Sequence, residues 1–196
     1  MIKKDKYSSL KDYLSSGHKI INQALRKPEL MNDEINAKVD EINTTLDKVK
    51  SFDNSVVYHC GDIGGITVEK LWKFFRKRIN SNIQIPGFLS TTKDPDFYFK
   101  NQPKVFKIFT AEKSNAKDVT NLEFDMPNEG EVLFRSGTYF KIIDSKPDLI
   151  TLCELSELPE EYEVLGEDYF LKDQEIYKYV RPNNKMNKSL SDQNLI

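Results

Sequence analysis

The side chains best placed to do chemistry in this chain are Glu129 and Glu131, in the run Pro127-Asn128-Glu129-Gly130-Glu131-Val132-Leu133-Phe134. They stand two residues apart at the mouth of an apolar, strand-like segment, and residues i and i+2 of a strand point to the same side. Like charges held that close raise each other's pKa, so the arrangement costs stability unless water or a ligand shares the space. A carboxylate pair suits work at an anomeric carbon, where positive charge develops in the transition state. Taken alone, two solvated acids at a strand end would read the same way. A second candidate is Ser90, in Gly87-Phe88-Leu89-Ser90-Thr91-Thr92. Alternation puts Ser90 and Thr92 on one face and Leu89 and Thr91 on the other, so one strand can feed both a site and a core. Thr91 and Thr92 are also simply good strand formers.

A third group is His59-Cys60, closing the run Val56-Val57-Tyr58. Neighbouring strand residues face opposite ways, so the imidazole and thiol are not a nucleophile–base pair. Cys60 shares its face with Val56 and Tyr58 and is expected to be buried. The only other cysteine is Cys153 and the only other histidine His18. Two cysteines are too few for a disulfide framework, and a Cys/His zinc site would need all four residues to converge, so no metal is expected.

These residues need elements to position them. Leu10, Tyr13 and Leu14 follow helical spacing, with Ser15-Ser16-Gly17 as the expected stop. Ile20, Ile21, Ala24 and Leu25 predict a second short helix ending near Pro28, and Ile35, Val39, Ile42, Leu46 and Val49 mark the stripe of a third, longer one that packs on a sheet. From Ser55 the period shortens. Strands are expected at 56–58, 83–91, 105–110, 131–134, 138–143 and 149–155, with one helix from Val68 to Ile79 capped by Thr67. Lys70, Lys73, Arg76, Lys77 and Arg78 are expected to form that helix's solvated face. An acidic segment from Glu154 to Glu175 follows, with a further strand near 175–180. Leu122, Phe124 and Met126, at alternate positions before the acidic pair, suit either a core strand or an apolar contact surface. Helices first and strands after is an α+β plan rather than alternating β-α units.

The 196 residues suffice for one core, expected within residues 1–180: a helical part over 1–52, a β core over 53–155 and an extension over 156–180, with a polar, disordered tail at 181–196. A net charge of −2 and no block of like charge argue against a nucleic-acid partner. No apolar stretch follows the lysines near Met1, so neither a cleaved signal nor a membrane span is expected. That places the protein in a cytoplasm, or exported or delivered to a host cell by a route needing no such signal.

Taken in order, Val56-Val57-Tyr58-His59-Cys60-Gly61, Gly87-Phe88-Leu89-Ser90-Thr91-Thr92 and Glu129-Gly130-Glu131, continued as Arg135-Ser136-Gly137-Thr138-Tyr139-Phe140-Lys141-Ile142, resemble the mono-ADP-ribosyltransferase family. The similarity is to its Arg-Ser-Glu branch of Glu-x-Glu type, and the opening Leu10-Lys11-Asp12-Tyr13-Leu14-Ser15-Ser16-Gly17-His18 and Ile21-Asn22-Gln23-Ala24-Leu25-Arg26 look like that branch's first helices. The resemblance implies an ADP-ribosyltransferase-like α+β fold, with N-terminal helices packed on a split, two-sheet β core and NAD in the cleft. It also implies transfer of ADP-ribose from NAD, as co-substrate, to a protein acceptor by a monomer, with release of nicotinamide. Glu131 would stabilise the ribose cation, Ser90 would fix the Glu131 rotamer, and Glu129 would prepare the acceptor, an arginine when this position is Glu. His59 stands where the branch has an Arg that contacts NAD, while another branch of the superfamily uses a His there. Two further readings follow: an NAD glycohydrolase, or a weakened NAD-binding or protein-interaction module of the same fold.

Overall fold

Strand pairing decides where each candidate residue lies. The computed structural model describes residues 7–61, 68–120, 122, 130–166 and 178–180. Ten strands occur among them: β1 (Val56–Cys60), β2 (Asn82–Ile85), β3 (Leu89–Thr92), β4 (Lys104–Phe109), β5 (Ala116–Asp118), β6 (Glu131–Phe134), β7 (Thr138–Lys146), β8 (Leu149–Glu154), β9 (Glu161–Val164) and β10 (Lys178–Val180). The helices are α1 (Ser8–Asp12), α2 (His18–Arg26), α3 (Asp33–Leu46), α4 (Val68–Arg76) and α5 (Pro95–Tyr98). The architecture is α+β, as the order of sequence periods predicts.

The strands hydrogen-bond in the order β10-β9-β2-β7-β8-β4-β1-β3-β6-β5. Between β1 and β3 the register holds one partner pair, Tyr58 with Thr92, whereas β3 and β6 pair along their whole length from Leu89–Phe134 to Thr92–Glu131. In place of the two sheets expected from the sequence there is one continuous ten-stranded sheet, whose larger and smaller groups of strands join through this narrow seam. The larger group encloses a core of Val57, Phe75, Ile83, Phe106, Ile108, Phe140, Ile142 and Leu152, against which α4 packs. The second group meets the N-terminal helices through Leu10, Tyr13, Ile21, Ile42, Leu46, Phe88 and Leu133. Strand β6 serves both cores, because Val132 and Phe134 face one and Leu133 faces the other.

Several local expectations change. The segment Ser15-Ser16-Gly17 does not end the first helix; α1 passes into α2 through a π-helical turn over Tyr13–Gly17. Such turns are rare and tend to mark functional regions. Asn32 caps α3 by accepting from the Ile35 amide, and acidic Asp33 and Glu34 suit the positive end of the helix dipole. The run 83–91 is two strands, not one: Pro86 and Gly87 separate β2, which pairs with β7 and β9, from β3, which pairs with β1 and β6. Arg78 is not a solvated charge. It lies beyond the end of α4, pairs with Glu163 at 2.8 Å and sits 3.7 Å over the Phe74 ring. Cys60 is half-buried rather than buried, and desolvation still pushes its thiol pKa up, against the pull of Lys104. Strands β5 and β9 and helix α5 are too short to show a period, and sequence reasoning passes over them. Thr67, Phe124, Met126 and the tail at 181–196 lie outside the described residues.

Candidate active site

Antiparallel pairing of β3 with β6 puts Ser90 opposite Leu133 and Thr92 opposite Glu131, so all four share the face toward the helices. Alternation along each strand fixes the rest: Leu89, Val132 and Phe134 are core residues on the reverse face, and buried Thr91 donates to the Val132 carbonyl at 2.5 Å. The Ser90 hydroxyl donates to Glu131 Oε1 at 2.6 Å. That is a charge-assisted bond between an exposed serine and a half-buried carboxylate, and it selects one rotamer of Glu131.

His59 reaches the same serine from the other side. Its Nδ1 lies 2.7 Å from the Ser90 carbonyl oxygen. A carbonyl only accepts, so Nδ1 carries the proton and the tautomer is fixed. The ring also lies 6.0 Å from that of Phe106, its partner residue on β4. Glu131 and His59 thus both meet Ser90, Glu131 at its hydroxyl and His59 at its backbone carbonyl; two residues after Val57 and paired with Phe106, His59 lies on the face of the larger core. Glu129 lies outside the described residues. The described residues next to it are tied: Val119 N donates to the Glu131 carbonyl at 3.2 Å, Lys93 N to that of Gly130 at 3.0 Å, and the Lys93 ammonium pairs with Asp118 at 2.8 Å. Burial opposes ionisation of Asp118, but bonds from Lys93 and Thr120 outweigh it and hold the carboxyl below its ordinary pKa.

The helices contribute more than the sequence motifs assign to them. Tyr13 is 2 % exposed, and burial raises its phenol pKa well above the usual range. An Asn22 bond works against that shift; the negative charge of Glu131 adds to it, and the positive charge of Arg26 opposes it. A carboxylate and a guanidinium therefore act on one buried hydroxyl. Asn22 itself holds Phe88, two residues before Ser90. Helical period marks Tyr13 only as a core residue and gives Asn22 no role, since its partner is a backbone that is distant in sequence. Among the described residues no group of three or more His, Cys, Asp or Glu side chains could hold a metal ion, and no helix is long and apolar enough to cross a membrane.

Known proteins place this geometry in context. The crystal structure of the Clostridium limosum C3 exoenzyme is similar with a TM-score of 0.62 at 17% identity, covering 76% of this chain and 84% of that one. C3stau2 from S. aureus, determined with NAD, gives 0.60 at 17%, covering 79% and 89%. The ADP-ribosyltransferase Vis in complex with agmatine, a toxin from Vibrio splendidus, gives 0.59 at 16%, covering 85% and 83%. At these identities the likeness shows the shared fold. A search of curated proteins found no match. The sequence model described as ADP-ribosyltransferase exoenzyme matches residues 2–167, most of the molecule including every strand of the site. With that match over the Ser90–Glu131 strands and the helices behind them, the chain belongs to the ADP-ribosyltransferase exoenzyme family.

Proposed function

We propose that this protein is a mono-ADP-ribosyltransferase that transfers ADP-ribose from NAD to an arginine side chain of a protein. The observation that carries the reading is the 2.6 Å bond from Ser90 to Glu131, on two strands that the sequence separates by about forty residues. Family membership supplies the chemistry that such a fixed carboxylate would serve. The bond between ribose C1′ and the nicotinamide nitrogen breaks, and its electron pair leaves with nicotinamide, which becomes neutral. Positive charge develops at C1′, and Glu131, preset by Ser90, stabilises it where it forms. An arginine nitrogen then forms the new C–N bond and gives up a proton, for which Glu129 is the proposed acceptor on the strength of the sequence motif. His59, anchored through Nδ1 on the Ser90 carbonyl, is the proposed NAD contact in place of the branch's arginine. An imidazole gives fewer donors than a guanidinium and is only partly charged near neutrality, so its hold on NAD is the weaker of the two.

Two observations support an arginine acceptor: Glu rather than Gln stands at position 129, and the similar Vis toxin was crystallised with agmatine, a guanidine. The test uses purified protein, labelled NAD, and either agmatine or a cell lysate. Nicotinamide release with label on agmatine and on lysate protein is the expected result. Release without label assigns water as acceptor and replaces transferase by glycohydrolase. If neither product forms and calorimetry finds no NAD binding, the reading is overturned.

A further inference from the structure

We propose that Asn22 is a positioning residue of this site, an amide latch that sets Ser90 and, through it, Glu131. The inference rests on the transferase reading for its kinetics and on geometry alone for its structure. Asn22 Oδ1 accepts from the Phe88 amide at 2.9 Å, and Asn22 Nδ2 donates to the Phe88 carbonyl at 3.1 Å and to the Tyr13 hydroxyl at 3.0 Å. One side chain thus meets both backbone groups of Phe88, as a neighbouring strand would, at the point where the chain turns into β3. Backbone satisfied in this way resists shifts that would carry Ser90 off Glu131.

Two independent features show that the surroundings are shaped to this amide. A Cβ on Gly87 would meet Asn22 Oδ1 at 2.8 Å, closer than such atoms come, so glycine here leaves room for the latch. The Tyr13 hydroxyl, which receives the third bond, sits in the π-helical turn, and the Tyr13 ring lies 4.9 Å from that of Phe88. The helical segment and the serine strand are therefore pinned by one polar contact set within an otherwise apolar junction.

The kinetic test is a double-mutant cycle on nicotinamide release. Asn22→Ala is expected to lower kcat about tenfold with KM for NAD held within about twofold. In a Ser90→Ala background the same change is expected to cost less than about twofold, since the bond it serves is gone. Gly87→Ala is expected to reproduce Asn22→Ala by displacing the amide, and to add little once Asn22 is already alanine. A residue of merely structural use would lower activity equally with and without the Ser90 hydroxyl; that result overturns the proposal, as does an effect confined to KM. Amide hydrogen exchange gives a readout free of catalysis: the Phe88 N–H is expected to exchange faster in Asn22→Ala and in Gly87→Ala. If the wild-type protein releases no nicotinamide, the transferase reading fails, and the latch is decided by exchange alone. Unchanged Phe88 exchange in a folded variant overturns it.

Discussion

Two glutamates at strand ends, Glu131 opening β6 and Glu154 closing β8, are treated in opposite ways. Glu154 is 3 % exposed and accepts from Ala111 N at 2.9 Å, the Ser114 hydroxyl at 2.5 Å and Asn115 N at 2.6 Å. Burial still raises its pKa, against the pull of those donors. Its carboxylate is used up in holding a loop whose two backbone N–H groups would otherwise be left unsatisfied. Glu131 is half-buried, oriented by a hydroxyl from the facing strand, and remains open to solvent. The same side chain thus serves as an internal clamp in one place and as an oriented charge at a surface in the other. What separates the two is the source of the donors and the access of water, not residue type.

The comparison breaks most sharply at Glu131. Glu131→Gln keeps the shape and removes the charge, so nicotinamide release should fall by about 10³-fold while stability stays within about 0.5 kcal/mol. Activity assay and thermal melt together check it; a stability loss equal to that of a Glu154 change would erase the distinction. Ser90→Ala leaves the charge but frees its rotamer, and a loss of about 10–100-fold in kcat is expected.

At Glu154 the effect should move from rate to stability. Glu154→Gln turns one acceptor into a donor that faces donors, so denaturant unfolding should show a loss of about 1–3 kcal/mol, with turnover of the folded protein unchanged. Its pH dependence has a definite sign. A carboxyl whose pKa is raised on folding contributes stability that is fully present below the unfolded pKa, about 4.3 for Glu, and lost as pH rises through the folded value. Wild type measured against Glu154→Gln should therefore lose relative stability between mildly acid and neutral pH, and a gain over that range would contradict the burial argument. The smallest effect is expected at the Lys93–Asp118 pair, which is partly exposed. Asp118→Asn should cost under about 1 kcal/mol. Because the Asp118 pKa is lowered, its contribution is present above its unfolded pKa and fades as pH falls, opposite in slope to that of Glu154.

How much of the site is legible in the sequence depends on the range of the interaction. The bounds of β6 and the split of Ser90 and Thr92 from Leu89 and Thr91 follow from a period of two, and the structure keeps both. The pairing of Ser90 with Glu131 enters through a family resemblance, and the geometry then supplies the bond. Helical period gives α2 and α3 but misreads Ser15-Ser16-Gly17 as a stop, because a π turn keeps the backbone bonded through residues of low helix propensity. The strand at 83–91 reads as continuous because Pro86-Gly87 is a short interruption in an apolar run, and periodicity does not count strands. Arg78 reads as surface because a guanidinium's partner is invisible until β9 brings Glu163 to it.

The sequence by itself determined side and sign: which residues of a strand share a face, where an acidic charge stands, which segments turn amphipathic as helices. These depend on φ/ψ periods and side-chain chemistry, both local. Tertiary structure alone decided adjacency. It set β3 beside β6 in antiparallel register, put the Ser90 carbonyl in reach of His59, gave Asn22 the backbone of Phe88 to hold, and buried Glu154 while leaving Glu131 open. A hydrogen bond needs its partner within about 3 Å, and only packing of the two cores brings chain segments tens of residues apart to that distance.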